Sequence, residues 1–211
     1  MVGQGVLREC LLDTDVEAVL AINRSPLGQT HAKLRELVCP NIGNLSAVDA
    51  QLPGYDAGFF CLGVSSAGMK PADYRRVTYD LTLGAARTLA RLNPAMTFIY
   101  VSGTGTDSSE RGRVMWARVK GETENALLRL PFKAAYMFRP GFIQPLHGIV
   151  SKTRLYRVLY TVVGPLISML KIFIPVVTTE QVGRAMIHAA RSGSPKTLLE
   201  NQDINELSGV R

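Results

Sequence analysis

Trp116 and Lys120 stand four residues apart in VMWARVKGETENALLRL, a spacing that on a helix stacks them on one face together with Glu124. A phenol at 116 and the ammonium of Lys120 could together give a proton to a carbonyl oxygen. Indole has a donor N–H but does not titrate usefully. Positioned acid catalysis is typically worth ~10²–10⁴-fold, so hydride transfer here is expected to be slow unless another group supplies the proton. Two further runs could join this pair. TFIYVSGTGTDSSE ends a strand-like stretch in Ser102-Gly103-Thr104, and AAYMFRPGFIQP ends another in the turn Arg139-Pro140-Gly141-Phe142. Plainer readings stand beside these: Lys120 as a surface ion-pair partner of Glu124, and the hydroxyls of Ser102 and Thr104 as turn-closing groups.

Such residues need a scaffold that brings strand ends together. VEAVLAINR, YDAGFFCLG, MTFIYVSG and AAYMFRP read as buried strands, separated by the helical patterns VGQGVLRECLLD, PADYRRVTYDLTLGAARTLARLN and RVMWARVKGETENALLRL. Strands alternating with helices specify an α/β fold with a Rossmann-like, doubly wound parallel sheet. In the long middle helix Tyr74, Val77, Leu81, Ala85 and Leu89 recur at three- and four-residue spacing, as one face packing on that sheet. After Gln144 the rhythm weakens, and residues 144–177 are expected to form a small substrate-side lobe or lid, followed by the helix TTEQVGRAMIHAAR behind a threonine cap. At 211 residues the chain suits one domain covering 1–211.

Two strand ends point to a nucleotide. VEAVLAINR closes in Asn23-Arg24-Ser25, with no acid where a ribose 2′-hydroxyl is normally held. An arginine there suits a 2′-phosphate, which favours NADP over NAD, although an exposed arginine after a strand is also common. YDAGFFCLG closes in Leu62-Gly63, where a glycine lets the backbone pass close to an adenosine ribose.

Composition excludes several classes. The net charge is +7, and residues 111–157 hold ten cations against Glu122 and Glu124. No base-reading motif or aromatic array accompanies them, so nucleic acid is not expected, and a solvated face competes with a phosphate, an acidic protein partner or a membrane surface. Cys10, Cys39 and Cys61 are odd in number and lack CxxC spacing, and His147 and His188 lack companions at ligand spacing. Neither disulfide framework nor metal site is expected, and a reducing cytoplasm fits. No signal peptide opens the chain, and the uncharged apolar run 158–170 is too short to span a bilayer. Flanked by cations, the stretch 155–177 could instead lie on a lipid surface; a lid over an apolar pocket or a homodimer contact is preferred.

With these residues in view the chain resembles the Tat-interactive oxidoreductase family, an atypical branch of the short-chain dehydrogenase/reductases that binds NADP(H). The marks are Gly3 with Gly5, Arg24-Ser25, the 102–107 loop, VKGETE around Lys120, RPGF at Arg139 and the closing LLENQDINEL. The resemblance implies that a hydroxyl near Thr104 or Ser102 bonds the substrate carbonyl, that Lys120 reaches the nicotinamide ribose, and that the Pro140-Gly141 backbone meets the carboxamide. It implies that the missing tyrosine at 116 is the proton donor whose pKa lysine lowers. It also implies an opening strand and a G-x-x-G-x-x-G turn, of which Met1-Val2-Gly3 matches only the end, so the start at Met1 is expected to be internal to a longer chain. Two functions follow as expectations: an NADP(H)-dependent oxidoreductase acting weakly on a small-molecule substrate, and a redox-silent, cofactor-bound regulator or scaffold for protein partners.

Overall fold

The computed structural model describes residues 1–149 and 176–209. Its strands are β1 (Val19–Asn23), β2 (Leu34–Val38), β3 (Ala57–Phe60), β4 (Thr97–Val101), β5 (Ala134–Arg139), β6 (Phe142–Gln144), β7 (Val176–Thr178) and β8 (Leu198–Glu200). The helices are α1 (Val2–Leu12), α2 (Pro71–Arg75), α3 (Leu81–Leu92), α4 (Met115–Leu127), α5 (Thr179–Ser192) and α6 (Asn201–Leu207). Every pairing among the described residues is parallel: β1 with β2, then β3-β4-β5-β8 in that order, and β6 with β7. The doubly wound α/β architecture expected from the strand-helix alternation is therefore present, its strands falling in one four-stranded and two two-stranded parallel sheets.

Side chains alternate across a strand, and here the alternation feeds two separate cores. Ile99 and Phe138 join Val6 of α1 and Val182 and Met186 of α5 on one face. Phe98, Tyr100 and Met137 join Leu83 of α3 and Leu127 of α4 on the other. Helices covering both faces are what a parallel sheet with near-continuous apolar strands requires. On the first face α1 and α5 approach closely because both carry glycine at the crossing. A Cβ on Gly5 would stand 2.7 Å from Thr179 Cβ, and one on Gly183 2.6 Å from Glu9 Cγ. Gly5 thus serves helix packing, and α5 starts from a capping box in which Thr178 accepts from Gln181 N.

The structure departs from the sequence expectations in three elements. LRELV forms β2, an edge strand whose polar residues hid it. Short β6 and β7 add a parallel pair beside the turn at Arg139. Between α2 and α3 the chain makes a π-helical turn, Arg76–Asp80. Its wider winding rotates the following face, so Thr78, Thr82, Leu83 and Ala86 join Tyr74 and Ala85 in burial, while Val77, Leu81 and Leu89 are only half-buried. Most of the expected lobe at 144–177, and nearly all of the stretch read for lipid contact, lies outside the described residues. No helix among the described residues is long and apolar enough to cross a membrane.

Candidate functional site

Parallel strands put their C-terminal ends on one edge, and here the register carries the pairing past those ends. Ser102 N donates to Phe138 O at 2.9 Å and Thr104 N to Pro140 O at 3.0 Å. The 102–104 loop and the Arg139-Pro140-Gly141 turn therefore run side by side. Gly103 holds φ +138, a conformation that L side chains rarely adopt. Gly141 N donates to Asn201 Oδ1 at 2.7 Å, fastening the turn to the start of α6.

Lys120 reaches into this edge from α4. Its half-buried side chain donates from Nζ to the carbonyl of Ser102 and lies 5.9 Å from the centre of the Trp116 ring. Burial lowers its pKa below the ordinary lysine value, and Glu124 opposes that shift. The surface ion pair with Glu124 is not formed. Glu124 is fully buried and accepts instead from Ser102 Oγ and from Arg139, at 3.0 and 3.2 Å from Nε and again from Nη2. Arg139 continues to Ser108 Oγ at 2.5 Å and to Glu200 at 3.4 Å. This ion pair joins β4, α4, β5 and β8 beneath the edge. Burying two charges is costly unless they are paired and hydrogen-bonded, as these are.

The remaining candidates fall around the same edge in different states. Thr104 is exposed, and its hydroxyl donates to Arg139 O at 2.9 Å. The Ser102 hydroxyl points inward to Glu124. Trp116 stands over the loop, its Cη2 3.4 Å from where a Cβ on Gly105 would lie. Gly3 is exposed in the first turn of α1, and a Cβ there would be 3.4 Å from that of Cys61, so the N-terminus of α1 meets the end of β3. Leu62 is half-buried and Gly63 exposed; nothing lies within 4 Å of a Cβ built on Gly63, and its φ is not in the left-handed range. Neither packing nor strain within the protein thus demands glycine at 63. Arg24 and Ser25 are exposed beyond β1, and no described residue bonds either side chain. Pro140 is buried.

Three participants were not read from the sequence. Glu36, brought by β2 to the end of β1, accepts from Leu27 N at 2.8 Å and Asn23 Nδ2 at 3.4 Å. Asn201 and the Arg139–Glu124 pair are the others; RPGF, LLENQDINEL and the helical spacing of Glu124 from Lys120 contained these residues without showing what they bond. His147 bonds Glu180 at 2.9 Å, and no cluster suited to a metal occurs among the described residues. An open groove of about 450 Å³ lies at the far end of α1, lined by Leu12, Arg184, His188 and Leu207. Its Arg184 is already paired with Glu9 and Glu180, and its Arg191 with Asp13 and Asp15.

No protein-family model matches the chain. The chain is 33% identical over 90 residues to Protein HTATIP2 of Rattus norvegicus, a match covering 43% of this chain and 36% of that protein. It is 23% identical over 145 residues to Protein FMP52-1, mitochondrial, of Scheffersomyces stipitis, covering 68% of this chain and 63% of that one. Both matches thus span less than two thirds of the relatives' length. Among solved structures, the Bordetella bronchiseptica enzyme WbmG in complex with NAD superposes with a TM-score of 0.67 at 8% identity, over 95% of this chain and 68% of that one. In sequence and in its Rossmann-like fold the chain resembles the atypical short-chain dehydrogenase/reductases.

Proposed function

We propose that the chain holds a nicotinamide dinucleotide along this edge, NADP(H) in preference to NAD(H), and reduces a small carbonyl compound slowly. The observation that carries the reading is the Lys120 ammonium, held at the Ser102 carbonyl without a carboxylate of its own, where the 102–104 loop and the 139–141 turn meet. The residues fit such a cofactor. Gly63 keeps open a space that the protein does not fill, and Gly3 lies in the first turn of an 11-residue helix without a side-chain cap, whose backbone N–H groups suit a pyrophosphate. Arg24, which no described residue bonds, suits a 2′-phosphate; Glu36 of β2 has Oε1 engaged by Leu27 and Asn23. When bound, the cofactor would supply the hydride. The chain's own part is to hold the ribose through Lys120 and the carboxamide through the Pro140-Gly141 backbone.

Trp116 favours a second reading, a redox-silent binding protein, because the indole leaves no titratable acid at its position. The same residue supplies the assay, being the only tryptophan. Quenching of its emission by NADPH, with energy transfer to the nicotinamide, should saturate at lower concentration than with NADH. Absence of quenching, or tighter NADH binding, refutes the cofactor reading. NADPH consumption over aldehydes, ketones and quinones then separates the two readings: none by the native chain supports the silent protein, and measurable turnover supports the reductase.

A further inference from the structure

We propose that Lys120 Nζ itself protonates the carbonyl oxygen, filling the role that a phenol at 116 would have; this rests on the reductase reading above. Elimination among the described residues at the edge leads to it. The Ser102 hydroxyl donates inward to Glu124 and the Thr104 hydroxyl to Arg139 O. Asp107 is held ionised by Ser109 and by the N–H of Gly112, and its carboxylate turns toward them. Glu124 is buried under Arg139 and Ser102. Trp116 does not titrate. Lys120 bears three N–H donors, and among the described residues Ser102 O is the one acceptor it meets.

Its surroundings also favour release of a proton. The charged group acting on Nζ is Glu124 on its own helix, and that carboxylate is itself paired with Arg139 of β5. Burial lowers the pKa of Nζ below the ordinary lysine value, the direction that makes the ammonium a better proton donor. As the carbonyl carbon receives a hydride and its two electrons from a reduced nicotinamide, the C=O π bond opens and the oxygen takes a proton from Nζ. The neutral amine left behind is reprotonated by water. Carbonyl, hydride and one solvent proton become alcohol, and atoms and charge balance.

The first test needs no turnover. In the cofactor-free chain, deprotonation of Nζ beside the indole should appear as a step in Trp116 emission below the ordinary lysine range, absent from Lys120→Met. The second uses Lys120→Arg, which keeps charge and donors but does not release a proton. Against an aromatic aldehyde and an ortho-quinone as probes, its turnover should fall by ~100-fold or more, while NADPH quenching of Trp116 is retained. If NADPH quenches neither native chain nor variant, the reductase reading itself fails. If NADPH binds but the native chain turns over neither probe, or Lys120→Arg works as well as native, or the emission step is missing, Lys120 is not the acid.

Discussion

Replacing Glu124 by alanine should be the most damaging single change beneath the site. Glu124 is fully buried and Arg139 is 8% exposed, so the substitution strands a guanidinium with Ser108 Oγ and a 3.4 Å contact to Glu200, which is itself 47% exposed. It also leaves the Ser102 hydroxyl without its carboxylate. Breaking a buried pair from one side typically costs ~3–5 kcal/mol. For a chain of this size that corresponds to a fall in Tm of roughly 6–20 °C, at about 2–4 °C per kcal/mol. A domain stable by about 5–15 kcal/mol should therefore still fold in the cold, much weakened. The double substitution Glu124→Leu with Arg139→Met removes both charges while keeping volume, and should recover most of the loss. Urea unfolding followed by Trp116 emission and by circular dichroism measures all three proteins. A cost below ~1 kcal/mol for Glu124→Ala, or a double substitution no better than the single one, would show that the pair is not a closed buried unit.

Gly63→Ala should leave stability within about 0.5 kcal/mol of native, since its Cβ meets no protein atom, yet weaken NADPH binding in the Trp116 titration. Gly121→Ala should do the reverse kind of damage: its Cβ would stand 1.8 Å from Asp107 O, forcing α4 from the loop at a cost of ~1–3 kcal/mol or more in urea unfolding. Thr178→Ala removes the cap of α5 and should cost ~1 kcal/mol by the same measurement. Glu180 has its pKa lowered first by the His147 bond, then by Arg184. Its unfolded form therefore binds a proton more readily, so its contribution is present above the ordinary carboxylate value and lost as pH falls through the lowered one. Stability measured against pH should show a shallower acid limb in Glu180→Gln, and an unchanged limb would refute the coupling.

The sequence by itself determined what depends on neighbours along the chain. The alternation of Phe98, Ile99 and Tyr100 divides β4 between two cores because strand side chains take opposite faces, and the doubly wound architecture follows from that. The four-residue steps from Trp116 to Lys120 to Glu124 place all three on one helical face, and that much was legible before any fold was known. Which partner each would meet was not. Glu124 passes over Lys120, a turn away, for Arg139, 15 residues on, because β5 carries a planar guanidinium into a dry space that a carboxylate can enter only when paired. Glu36 reaches the end of β1 only through the parallel register of β2, whose polar sequence conceals a strand. Gly5 follows closely on the glycine read as the end of a nucleotide turn, but Thr179, 174 residues away, is what forbids it a side chain. Local spacing sets the face a residue occupies; burial and charge pairing are long-range conditions that only the assembled sheet and helices impose.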